Sequence, residues 1–64
     1  MKYKLYEKYL IALVDGREAT ITIVTVHMID GRPMYTIDGR SDCGPICELV
    51  TEQFLDDSII RGAI

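Results

Sequence analysis

The tripeptide Asp-Gly-Arg occurs three times in the first 40 residues, at Asp15-Gly16-Arg17, Asp30-Gly31-Arg32 and Asp38-Gly39-Arg40, each time closing an apolar stretch rich in β-branched residues. Glycine takes positive φ at little steric cost and aspartate tolerates left-handed backbone, so Asp-Gly between apolar runs is a strong hairpin signal. The pattern predicts a β-meander with three turns. Their unequal spacing measures one long and one short strand rather than a repeated functional unit.

Between the first two turns, Thr20 to Val26 is a β-branched run that disfavours helix, predicting a strand over Glu18 to Asp30. Its phase changes partway. Ile21 and Ile23 share one face, but from Val24 the apolar set becomes Val24, Val26 and Met28, with Thr25 and His27 opposite. A one-residue slip in a two-residue period predicts a bulge or sharp bend, so that one strand serves two layers. Residues 3–14 also read with period two, placing Tyr3, Leu5, Tyr9, Ile11 and Leu13 inward and Lys4, Tyr6 and Lys8 toward water. A helical stripe of Leu5, Tyr6, Tyr9, Leu10 and Leu13 competes, but Asp15-Gly16 leads directly into the next strand and favours the extended reading. The third strand spans Met34 to Ile37 behind Pro33, with Tyr35 and Ile37 inward and Met34 and Thr36 outward.

The last third supports two readings. Ile46, Leu49, Val50 and Phe54 recur at helical spacing, and Pro45 after Gly44 suits a first helical position, which gives a helix over 45–57. Alternatively Ile46 to Val50 is a fourth strand, Thr51 opens a short 3₁₀ turn reaching Asp56, and Ser58 to Ala63 is a fifth strand. In this second reading the layout of a long strand, a long bent strand and a short strand, then Glu48-Leu49-Val50-Thr51-Glu52-Gln53-Phe54-Leu55 and a closing Ile59-Ile60, resembles the SH3-like small β-barrels. These include barrels found in short phage and mobile-element proteins. The resemblance implies a mainly β fold, a small barrel of about five antiparallel strands with one 3₁₀ turn near the C-terminus. A three-stranded antiparallel sheet packed on one C-terminal helix is the alternative, followed by an α+β fold with two helices. Many such barrels bind peptides or nucleic acid through exposed aromatics on variable loops, whereas the proposed loops here carry none.

The 64 residues make one domain, covering 1–64. A chain of this size removes only about 60% of its extended-state surface from water, so a disulfide or self-association through a strand edge would help it. Residues 1–40 carry six Lys or Arg against five Asp or Glu, whereas residues 41–64 set Arg61 against Asp42, Glu48, Glu52, Asp56 and Asp57. An acidic chain without a basic stripe lacks the footprint of phosphate binding, which speaks against nucleic acid as a partner. No uncharged run approaches the 18 or more residues of a membrane span, and no cleavage site follows the N-terminal lysines, so a cytoplasmic location without membrane association is the default expectation.

Cys43 and Cys47 are separated by one residue more than the redox and zinc Cys-x-x-Cys spacing, and His27 is the only other soft ligand. Both thiols are expected free, with no metal and no cofactor. His27 lies among threonines without a neighbouring carboxylate or a glycine-flanked nucleophile, so an enzyme is not expected. Asp56-Asp57 with Glu52 and Glu48 reads as a solvated face; calcium-loop spacing is absent, and the charge is diffuse for a mimic of nucleic acid. Arg17 and Arg40, in turns at one end of the meander, are placed to converge on an anion, and Arg32 is not. Tyr6 and Met34, on the water side of their strands, are amphipathic side chains of the kind interfaces favour. The expectation is a non-enzymatic interaction module that pairs with itself or with a host protein through a strand edge or the Tyr6 and Met34 face. A nucleic-acid-associated regulator using Arg17 and Arg40, and an acidic inhibitor of a nucleic-acid-processing enzyme, are the alternatives.

Overall fold

The β-branched run lies at the centre of the sheet. It forms part of β2 (Glu18–Ile29), which pairs with β1 (Lys8–Ala12) on one side and β3 (Arg32–Ser41) on the other. The computed structural model describes residues 2–42 and 44–62. Beyond β3 lies β4 (Gly44–Thr51), and after a short helix, α1 (Glu52–Ser58), β5 (Ile59–Gly62) returns to the free side of β1. All pairings are antiparallel, in one unclosed five-stranded sheet of order β4-β3-β2-β1-β5.

The phase slip in β2 is a bulge. Ile23 pairs with Ile37 and Thr25 with Thr36, so Val24 is an extra residue between them. Ile21 and Ile23 face the core before it and Val26 packs against the core after it, while Thr25 and His27 share the outer face and hydrogen-bond each other at 2.7 Å. The core comprises Tyr3, Tyr9, Ile11, Ala19, Ile21, Ile23, Tyr35, Ile37, Val50 and Leu55, with Leu13, Val26, Ile46 and Ile59 packed on it. Tyr35 and Ile37 point inward as their alternation requires.

Two of the three Asp-Gly-Arg sequences are turns. Asp30 and Gly31 have φ of 51° and 76° between the paired Ile29 and Arg32, the left-handed pair of a two-residue hairpin. At the first, the Leu13 carbonyl accepts from the Gly16 amide at 2.9 Å, Gly16 turns at φ 89°, and the Leu13 amide donates to the Arg17 carbonyl at 2.6 Å. The third is not a turn. Asp38, Gly39 and Arg40 lie inside β3, paired with β2 and β4 on both sides, and the chain reverses after Ser41, which pairs with Gly44. The glycine serves close approach instead: a Cβ on Gly39 would stand 2.2 Å from the Thr20 carbonyl oxygen and 2.9 Å from the Ile21 Cγ2.

The first strand is shorter than its alternation implies. Tyr6 takes φ 67°, and the Glu7 amide donates to the Lys4 carbonyl at 3.2 Å, so residues 4–7 form a turn. The ladder still reaches this turn, because the Tyr6 amide donates to the Ile23 carbonyl and the Ile23 amide to the Glu7 carbonyl. Tyr3 is buried, whereas Leu5, assigned to the same inner face by period two, is exposed.

In the last third the extended reading holds and the helix over 45–57 does not. Eight consecutive residues of β4 keep register with β3, and those backbone bonds outweigh a helical stripe of four apolar residues. The three-stranded alternative fails for the same reason. Thr51 does end the strand, its hydroxyl accepting the Phe54 amide at 3.0 Å, but what it caps is a seven-residue α-helix rather than a 3₁₀ turn. Ser58 belongs to that helix, β5 begins at Ile59, and Ala63 lies outside the described residues.

Gly39→Ala is expected to lower stability by about 2–3 kcal/mol, because the backbone of β2 has no room to yield. Gly16→Ala, where nothing lies within 4 Å, carries only the left-handed penalty of about 1 kcal/mol. Urea titration of the two variants should place Gly39→Ala clearly lower; equal losses would refute the close-approach role.

Candidate functional site

Three buried tyrosine rings meet at one end of the sheet. Tyr3 stands edge-on to both Tyr9 and Tyr35, with ring centroids 5.5 Å apart in each pair. A buried phenol needs an acceptor, and each hydroxyl donates to a carboxylate: Tyr3 to Asp56 at 2.5 Å, Tyr9 to Glu7 at 2.6 Å and Tyr35 to Glu52 at 2.6 Å. Glu52 and Asp56 are four residues apart on α1, so they project from one side of the helix. Lys2 closes the cluster with an ion pair to Asp56 at 2.9 Å. Burial, then the Asp56 bond, raises the Tyr3 pKa, and burial with the Glu7 bond pushes Tyr9 up to about 12. Burial is the first cause at Tyr35 as well. The tyrosine bonds hold Asp56 and Glu7 below the usual carboxylate range.

This pinning leaves the other side of α1, with Phe54, Asp57 and Ser58, facing away from the tyrosines and toward β4 and the first hairpin. Between them lies a groove of about 730 Å³. Its apolar wall comes from Leu13 and Val14 of the turn, Ile46 of β4 and Phe54 of α1, and its rim carries Asp15, Glu48 and Asp57. The first hairpin is held in shape by Asp15, which accepts from the Arg17 amide at 3.1 Å and from its guanidinium at 2.7 and 2.5 Å. Those bonds keep the Asp15 carboxyl low in pKa. Asp57 accepts from Gln53 at 3.0 Å along the helix.

Glu48 is the unusual member. It shares the inward pleat of β4 with Ile46 and buried Val50 and pairs across to Ile37, yet it is exposed, because at this point the inner face opens on the groove. Comparison with protein-family models, with curated proteins and with solved structures finds no match.

The residues singled out by sequence are dispersed. Tyr6 is 71% exposed on its left-handed turn beside Ile23, whereas Met34 is half-buried on the outer face of β3, opposite His27 and Thr51. The central strand β2 separates them. Arg17 lines the groove in its ion pair with Asp15. Arg40 is exposed on β3, paired with Thr20 and Pro45 and so toward the same end of the sheet as Arg17, but on a strand rather than in a turn. Arg32 sits at the opposite end. Cys47 is exposed and free on the outer face of β4, and Cys43 lies outside the described residues. Among the described residues no helix is long and apolar enough to cross a membrane, and no three potential metal ligands cluster.

Sequence reasoning missed Leu13, Ile46, Glu48, Phe54 and Asp57 as one site. One signal was present: in the strand reading, Ile46-Glu48-Val50 places a carboxylate on the apolar face. The acidic tail was also misread in part, since Glu52 and Asp56 bind tyrosine hydroxyls rather than only water.

The tyrosine cluster sets a pH dependence. A tyrosine whose pKa is raised on folding keeps its proton where the unfolded chain has lost it, so its stabilisation is complete below pH 10 and is lost as pH rises toward 12. Carboxylates with lowered pKa act oppositely: Glu7 and Asp56 stabilise above the ordinary carboxylate pKa and lose that contribution as pH falls through their folded values. The urea midpoint should therefore stay level through neutrality and fall on both sides. Tyr3→Phe with Tyr9→Phe should flatten the alkaline limb between pH 10 and 12; an unchanged limb would assign it to other groups.

Proposed function

We propose that this chain is a non-enzymatic protein-interaction module on an SH3-like small-barrel plan, and that it holds its partner in the groove between the first hairpin, β4 and α1. The carrying observation is the groove itself. Its volume is in the range of ligand-binding clefts, its wall is mainly apolar, and it lies where the sheet does not close. The barrel plan is supported by the bent second strand, the helical turn between the last two strands and the return of β5 to β1.

A binding role is favoured over catalysis by the distribution of chemical groups. His27 belongs to the outer face near the second hairpin, engaged with Thr25, far along β2 from the groove. The groove offers apolar side chains and carboxylates instead. Anion binding through Arg17 and Arg40 is disfavoured because Arg17 is already committed to Asp15.

Selection of a random peptide library against the intact protein tests the reading. Recovered peptides should lose binding, by tenfold or more, to a variant carrying Ile46→Lys and Phe54→Lys, both residues being incompletely buried so that the fold is kept. Melting curves and the far-ultraviolet spectrum check that. A selection yielding no ligand sensitive to this variant would overturn the assignment.

A further inference from the structure

The rim of the groove says what kind of partner enters it. Three carboxylates, Asp15, Glu48 and Asp57, come from three separate elements, and the one guanidinium on the lining, Arg17, is ion-paired to Asp15. The lining is thus net negative around an apolar floor. Glu48 adds a point of its own: it occupies an inward strand position, where its neighbours Ile46 and Val50 face the core, and no hydrogen bond or ion pair reaches it among the described residues. On an edge strand an inward charge also discourages pairing with other edges. That role alone leaves the groove without a ligand.

We infer that the groove receives a short cationic peptide segment, an apolar centre flanked by Lys or Arg, with the apolar side chains against Leu13, Ile46 and Phe54 and the flanking cations against Glu48 and Asp57. This deepens the proposed function and rests on it. Charge complementarity selects the occupant. A nucleic acid or an anionic membrane would be repelled by the rim. A second copy docking by two-fold symmetry would set each rim against itself, carboxylate to carboxylate. A bare metal ion is disfavoured because no three potential ligands cluster among the described residues. A peptide supplies apolar surface and separated positive charges together.

The test uses the isotopically labelled intact protein and three synthetic peptides sharing a central Val-Leu-Val, flanked on each side by three lysines, three serines or three glutamates. Amide resonances of Leu13, Val14, Ile46 and Phe54 should move with the lysine peptide. The serine peptide should bind about five- to tenfold more weakly, and the glutamate peptide not at all. Raising salt from about 50 to 300 mM should weaken the lysine peptide several-fold and leave the serine peptide unchanged. Glu48→Gln with Asp57→Asn, both at exposed positions, should reduce the lysine peptide to the level of the serine peptide.

Equal binding of lysine and serine peptides would overturn the charge inference while leaving the groove as a binding site, and would return Glu48 to edge protection. Failure of all three to move groove resonances at millimolar concentration would overturn the inference as well, with the library selection deciding separately on the function. Concentration-dependent dimerisation mapped to the same resonances would overturn it in favour of a second copy.

Discussion

The structure depends on the pairing of three buried phenols with three carboxylates. Packed edge to face, the rings of Tyr3, Tyr9 and Tyr35 bring their apolar bodies into the core, and their hydroxyls would be orphaned without acceptors. Acceptors arrive from two directions, Glu7 in the N-terminal turn and Glu52 and Asp56 on α1. The N-terminal segment, strand β3 and the helix are therefore joined by polar contacts at one spot. In so small a domain, where apolar burial is limited, such a junction acts with the packing of Leu55, the buried residue of α1, to set the position of the helix.

Fixing α1 in this way determines what stays open. With one side of the helix turned to the tyrosines, Phe54 and Asp57 face the gap between the first hairpin and β4, and the inner face of β4 changes from core at Val50 to groove at Glu48 within two residues. Core and site share a strand and differ only in what lies above it. The tie between Asp15 and Arg17 shapes the opposite wall.

What was legible in the sequence were the features decided locally. The phase slip at Val24 foretold the bulge, Asp30-Gly31 foretold a tight turn, and Thr51 foretold where extended chain gives way to helix, since each is governed by backbone preferences of neighbouring residues. Gly39 shows the limit. Its tripeptide is identical to those at the turns, but its use is set by the backbone of β2 passing close beside it, which no local pattern encodes. Tyr6 is a similar case, adopting a left-handed conformation that tyrosine does not favour because the ladder to Ile23 and the burial of Tyr3 demand the turn. The groove was hidden for a related reason: its walls come from the first hairpin, from Ser41, Ile46 and Glu48, and from Phe54, Asp57 and Ser58, neighbours only once α1 has been pinned.

The strand order carries a kinetic consequence. Neighbours β1 to β4 are consecutive in the chain, so the four-stranded meander forms through short loop closures, whereas β5 joins β1 by a pairing distant in sequence, Tyr9 with Gly62. Release of β5 is thereby the easiest partial opening, since only four residues and a ladder irregular between Leu10 and Ile11 hold it. Hydrogen exchange would then divide the molecule unequally, with amides of β2 and β3 protected to the global limit and those joining β5 to β1 exchanging through a smaller opening that leaves the meander intact.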